Sequence, residues 1–135
     1  MQGSPATFSL VNYKFDRIVV QSAFFSPQAS QRIDFSPSCK FEKAAKTAFL
    51  RFGVKVASGN SNEPFCYVDC LGVFKIEGND IPEFFFTNSI AILYPYVRAM
   101  VSLVCLQANF GSTVMLPTLN LSSLAGFLKE HTVEE

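Results

Sequence analysis

Asn88–Leu121 reads NSIAILYPYVRAMVSLVCLQANFGSTVMLPTLNL, a long apolar helix followed by an extended Pro-Thr-Leu-Asn-Leu segment. From Ile90 to Phe110 the one formal charge is Arg98. On a 3.6-residue period, Ile90, Leu93, Tyr94, Val97, Val101, Val104 and Cys105 make one face. Ile92, Tyr96, Ala99, Leu103, Leu106 and Phe110 make a second, and only Arg98, Ser102 and Asn109 form a narrow polar stripe. A helix that is apolar nearly all round must be covered nearly all round. In a short chain one sheet covers one side of it, so the other side calls for a partner subunit or lipid. Lipid is the poorer cover. The run is near the minimum for a span, a mid-helix arginine costs roughly 2.5–3.5 kcal/mol on insertion scales, and no basic cluster flanks it. Membrane insertion is not expected.

A chain of 135 residues is expected to be one domain over residues 1–135, with residues 1–6 and 131–135 flexible. Hydrophobic residues make up 49% and charged residues 16%, against about 25% charged in ordinary soluble domains. Fifteen Phe and no Trp are more aromatic surface than a small monomer hides easily, which again points to subunit contacts or a binding surface. Eleven basic and eleven acidic residues cancel, and no charge block marks a nucleic-acid binder. The first residues, MQGSPATFSL, lack the basic and apolar regions of a signal peptide. The expected location is the cytoplasm, with Cys39, Cys66, Cys70 and Cys105 reduced. Their spacing fits no zinc site, and the reading is small buried apolar residues.

Along the chain, Phe8–Phe25 reads as one long strand or two short ones. Val11, Tyr13 and Phe15 alternate with polar residues, then the phase changes to Ile18, Val20 and Phe24, which predicts a bulge near Asp16–Arg17. Ser26–Ser38, with Pro27 and Pro37, reads as a crossing loop. Cys39–Ala45, Thr47–Ser58 and Phe65–Ile76 read as strands; in the second, Leu50, Phe52, Val54 and Val56 face one way and Arg51 and Lys55 the other. Residues 59–62, Gly-Asn-Ser-Asn, make a turn between the last two. The long helix is expected from about Ser89 to Asn109, capped by Asn88 or Ser89, with Pro95 inside its first two turns and Gly111 closing it. A short helix, Ser122–Glu130, is expected to be capped by Ser122 or Ser123. Strands first and helices last define an α+β chain: a four-stranded antiparallel sheet with a long and a short C-terminal helix.

Catalytic chemistry finds no foothold. His131 is the one histidine, in a polar tail, so no histidine-based triad can be built. Glu63 and Asp69 read as solvated surface charges, and no phosphate loop or HExxH is present. The protein is not expected to be an enzyme, and no cofactor or metal is expected.

Three motifs together resemble the bacterial protein-export chaperone SecB. Leu93-Tyr94-Pro95-Tyr96-Val97-Arg98 is close to the family's FPYAR signature in its long helix, and Leu116–Leu121 is similar to its FPQLNLAP segment. Leu71–Gly78 is similar to its GGIFSIAG strand end, while Arg17-Ile18 and Phe35-Ser36-Pro37 fall where the family has QRIY and WQP. The likeness covers roughly residues 13–130. It implies two sheets paired edge to edge in a dimer and two dimers sandwiching their helices in a tetramer, which would cover both faces of Ile90–Phe110.

The resemblance also implies an ATP-independent holdase that takes unfolded preproteins into apolar grooves for export and translocation. By position, Phe35 corresponds to a groove residue; Phe24, Phe25, Ile33, Leu124, Phe127 and Leu128 are candidates for the same surface. Cys66, Val68, Cys70, Tyr96, Val101 and Leu103 are candidates for subunit contact. SecA is the family's ATPase partner, docked through carboxylates whose positions here fall near Ser22 and Phe25–Ser26, so that docking loses its electrostatic drive. Two other readings stand beside general export. One is a SecB-like chaperone dedicated to a single client such as an antitoxin; the other is an oligomeric structural or adaptor protein without holdase activity.

Overall fold

The computed structural model describes residues 8–110 and 114–135. The expectations for residues 1–6 and for Gly111 as the residue ending the long helix lie outside the described residues. Five strands, β1 (Phe8–Val20), β2 (Gln31–Glu42), β3 (Thr47–Ser58), β4 (Cys66–Ile76) and β5 (Thr132–Glu134), form one sheet in the order β1-β4-β3-β2-β5. Two helices, α1 (Phe85–Gln107) and α2 (Leu121–Glu130), pack on one face of it. The α+β class holds, but the sheet is mixed and five-stranded where a four-stranded antiparallel one was expected.

The extra strand lies in the tail expected to be flexible. Thr132–Glu134 runs parallel to Cys39–Phe41 on the outer edge of β2. The amide of Cys39 donates to His131 O at 3.1 Å and that of Glu135 to Phe41 O at 2.8 Å. Three residues carry no periodicity, so nothing in TVE announced a strand.

Thr47–Ser58 is a strand with the expected ends, and its expected inward row of Leu50, Phe52, Val54 and Val56 is fully buried. Its partner β2 begins at Gln31, well inside the segment expected to be a loop. Pro37 misled that reading. Cys39 N–H points to β5 across the outer edge, so the ring nitrogen of Pro37, two residues back, points to the same open edge and removes no ladder hydrogen bond.

In β1 the register slips between Phe15 and Arg17, where the phase change was read, and again between Leu10 and Asn12. The first bulge lets Phe15 and Ile18 share the helix side, opposite Cys70 and Val68. Arg51 donates to Asp16 at 2.8 Å and to Asp69 at 3.0 Å across three strands. The Arg51 hydrogen bond holds the Asp16 carboxyl below its ordinary pKa. This pairing is therefore present at neutral pH and lost as pH falls through the lowered value. Asp69 was expected to be solvated; it is nearly buried and salt-bridged instead, while Glu63 lies outside β4.

The first helix starts four residues early. Phe84 is its N-cap without a side-chain bond, and Asn88 and Ser89 lie inside it. Burial of Phe85 and Phe86 against the sheet sets this start; Phe85 meets Phe74 edge-on at 5.3 Å and Phe8 at 5.0 Å. Pro95 sits near the middle of α1 and not in its first two turns, yet the helix runs through it. An interior proline costs roughly 3 kcal/mol; buried Leu93 and Val97 on either side hold the helix down. Ala91 and Pro95 are both exposed, so water reaches the carbonyl left without a donor. The second helix is capped by Asn120, whose side chain accepts from Ser123 N at 3.3 Å, and not by Ser122 or Ser123.

Gly72 sets the distance between α1 and the sheet. A Cβ placed there would lie 2.7 Å and 3.0 Å from the two Leu93 methyls and 3.1 Å from the Phe74 ring. Ile90, Leu93, Val97, Val101 and Cys105, all from the first face read in the sequence, are fully buried along this seam. Gly72→Ala is expected to lift Leu93 and destabilise the subunit by about 1–3 kcal/mol, as overpacking does. A thermal unfolding midpoint equal to wild type would show that the seam has slack.

Candidate polypeptide-binding surface

Beyond α1, the sheet is only partly roofed. Ile33, Phe35 and Pro37 face the helix side of β2 in register with Val56, Val54 and Phe52. The second helix packs against β2, and among the described residues β5 pairs with its outer edge only at Cys39–Phe41. Ile33 and Phe35 are therefore half-buried beside an open strand edge. The Phe35 ring lies 5.9 Å from Phe52 and 6.1 Å, edge-on, from Tyr94 of α1. Phe35 thus belongs to a strand and not to a loop, and part of its surface contributes to packing.

Tyr94 joins this strip to the segment after α1. Its hydroxyl donates to Pro117 O, and Ser102 Oγ donates to Val114 O at 3.1 Å. Val114 and Leu116 point into the core while Met115 between them is exposed. The segment so pinned forms one wall of a hollow of about 260 Å³, lined by Thr118, Leu119 and Leu121 against Ala91, Tyr94, Pro95 and Arg98. Burial raises the Tyr94 pKa against the opposing charge of Arg98, so the phenol keeps its proton and its donor role near neutral pH. The half-buried Ile33–Phe35 strip and this hollow meet at Tyr94; the pair is termed the trough.

The other groove candidates disperse. Phe24 is exposed in a short 3-10 turn, Ser22–Phe24. Phe25 stacks on Phe110 at 4.4 Å and meets Phe65 at 5.0 Å, closing the end of the core. Leu128 is fully buried and is a core residue; Leu124 is half-buried; Phe127 is exposed and stacks on His131 at 4.0 Å. Tyr94, Leu119 and Leu121 were not among the candidates, although they stand in two of the three motifs that carried the resemblance.

The subunit-contact candidates also divide. Cys66, Val68, Cys70 and Val101 are buried within this one subunit and face its own core, so their burial needs no partner. Tyr96 and Leu103 lie on the opposite side of α1 with Ile92 and Leu106, and Leu106 is 70% exposed. Tyr96 stacks on Tyr13 of β1 at 4.2 Å, which joins this apolar back to the edge strand, where Val11 and Ile18 are also exposed. Burial pushes the Cys39 thiol up to about 12 and that of Cys70 up to about 11. Its hydrogen bond with Cys105, together with burial, also raises Cys66. These three thiols stay protonated as small apolar groups.

A second hollow, about 540 Å³, lies on the other face of the sheet among Lys40, Phe49, Arg51, Leu71 and Glu135. Its charges are already matched, Lys40 with Glu135 at 3.2 Å and Arg51 with Asp16 and Asp69.

The mixed sheet with two helices on one face is a SecB-like fold. The chain is similar to a SecB-like chaperone of Mycobacterium tuberculosis, solved in complex with a ChAD peptide from an antitoxin. The TM-score is 0.66 at 14% identity, covering 84% of this chain and 88% of that one. It is also 26% identical, over 133 residues, to an uncharacterized protein of Methanocaldococcus jannaschii, covering 87% of this chain and 84% of that protein. No protein-family model matches the chain.

Proposed function

We propose that this protein is an ATP-independent chaperone of the cytoplasm that holds extended, apolar segments of unfolded polypeptide. The observation that carries the reading is the meeting, at Tyr94, of the Ile33–Phe35 strip with the hollow of Leu119 and Leu121, beside a stretch of β2 edge that has no strand partner among the described residues. Half-buried aromatic and aliphatic side chains take up apolar segments with adaptable packing, and several such contacts on one client chain add their affinities. Nothing in this binding calls for a cofactor, and the protein is read as a binder and not an enzyme.

The reading extends to assembly. The apolar back of α1, with Tyr96, Leu103 and Leu106, and the adjoining edge of β1 are proposed as the contact with further copies of the chain, in a dimer or a dimer of dimers. Burying a handful of such side chains at about 1.5–3 kcal/mol each exceeds the loss of freedom on association. Between general export and service to a dedicated client, the second is favoured. The chain is neutral and lacks carboxylates near Ser22 and Phe25–Ser26 for a basic translocation partner such as SecA. The mycobacterial neighbour was solved with an antitoxin peptide. A structural or adaptor oligomer would need the same back of α1 but no trough, and client capture separates the two.

Phe35→Ala is expected to weaken capture of a permanently unfolded, fluorescently labelled polypeptide while costing about 1–3 kcal/mol of stability. That is less than the 3–5 kcal/mol typical of a core phenylalanine, because Phe35 is only half-buried. Binding per folded molecule, measured well below the thermal midpoint, tests this; unchanged capture would remove Phe35 from the client surface. For assembly, Leu103→Asp and Val101→Asp should part company. The first should yield folded, smaller species in sedimentation, and the second should unfold the subunit by burying a charge. A wild-type chain that sediments as a monomer at micromolar concentration would refute the contact.

A further inference from the structure

We propose that the hollow beside Tyr94 and Arg98 is a two-part subsite that selects a large apolar side chain next to a carboxylate in the bound chain. This rests on the reading of the trough as a polypeptide surface and adds the chemistry of the segment it prefers. Ala91, Tyr94, Pro95 and Arg98 stand at i, i+3, i+4 and i+7, a single stripe along α1. That stripe lies on the flank of the helix, between its sheet-facing row and its apolar back, and it looks at the pinned segment Thr118–Leu121. The walls are held from both sides, by Tyr94 to Pro117 O and Ser102 to Val114 O, so the hollow is built before anything enters it. Its volume of about 260 Å³ suits one large side chain.

Charge supplies the second half. Arg98 is the sole formal charge of α1 and is exposed. Among the described residues it has no carboxylate partner, a state it shares with Lys14, Arg17, Lys46, Lys55 and Lys75; what sets it apart is its place in the lining of an apolar hollow. A guanidinium presents a rigid fork that matches a carboxylate with two parallel hydrogen bonds. Placed at the mouth of an apolar hollow, it favours Asp or Glu beside the residue that fills the hollow and disfavours Lys or Arg there. The hollow joins the Phe35 strip through Tyr94, so the occupant is a continuous chain and not a free acid.

The test is fluorescence anisotropy with three labelled, extended peptides that differ at one position, carrying Phe-Asp, Phe-Asn or Phe-Lys in an otherwise uncharged apolar context. Wild type should bind Phe-Asp about two- to fivefold more tightly than Phe-Asn, the size of one exposed ion pair, with Phe-Lys weakest and the spread shrinking in high salt. Arg98→Gln should flatten the series, and Arg98→Glu should invert it. Circular dichroism should be unchanged in both, since Arg98 is exposed. Equal binding of the three peptides by wild type, or a preference for Phe-Asp that survives Arg98→Gln, would overturn the subsite and leave the chaperone reading standing. Failure of all three peptides to bind would overturn both.

Discussion

The close seating of Leu93 on Gly72 is the contact on which the rest of the molecule depends. A strand residue without a side chain lets α1 descend onto β4 until the Leu93 methyls would touch any added Cβ. That seating fixes which face of a nearly all-apolar helix meets the sheet. Ile90, Val97, Val101 and Cys105 then follow into the core by helical spacing, and Ile92, Tyr96, Leu103 and Leu106 are left outside. One position further on, Tyr94 is thereby aimed along the sheet, where it meets Phe35 and reaches Pro117 O. The three motifs that stand apart in the chain, around Gly72, Tyr94 and Pro117, meet at this corner.

From that corner the two surfaces of the subunit separate. The sheet side holds a closed core with free, buried thiols and packed phenylalanine rings. The flank of α1 carries the hollow and Arg98, which has no carboxylate partner among the described residues. The back of α1 carries the apolar area expected to meet other copies. By length and composition α1 could cross a membrane, yet its inner row is locked against its own sheet. A helix with one face in a protein core and the other on a partner has the same composition as a span.

Much of the fold was legible because the patterns were long. Thr47–Ser58 alternates cleanly, and the phase change after Phe15 marked a bulge that the register confirms. The two faces of the long helix were legible as faces, but the pattern alone could not say which one the sheet would take. Gly72 decides that, and its role is a matter of distance. The start of β2 was missed although Ile33-Asp34-Phe35-Ser36 alternates, because Pro37 was weighed without knowing that its nitrogen faces an open edge. Cys66, Val68 and Cys70 were named as contacts by the resemblance; within the subunit their side faces the core. Of the proposed surface, Phe35 and Ile33 were named from the sequence, and Tyr94, Leu119 and Leu121 were not. Their partnership needs the return of the chain along α1, which no local pattern encodes.

Hydrogen–deuterium exchange of the protein with and without a permanently unfolded polypeptide tests the polypeptide-binding surface most directly. Client binding should slow exchange in residues 31–36 of β2 and in residues 116–121, the two walls of the trough, and leave the opposite face of the sheet around Lys55 and Tyr67 unchanged. Protection confined to that opposite face, or no protection anywhere at saturating client, would contradict it.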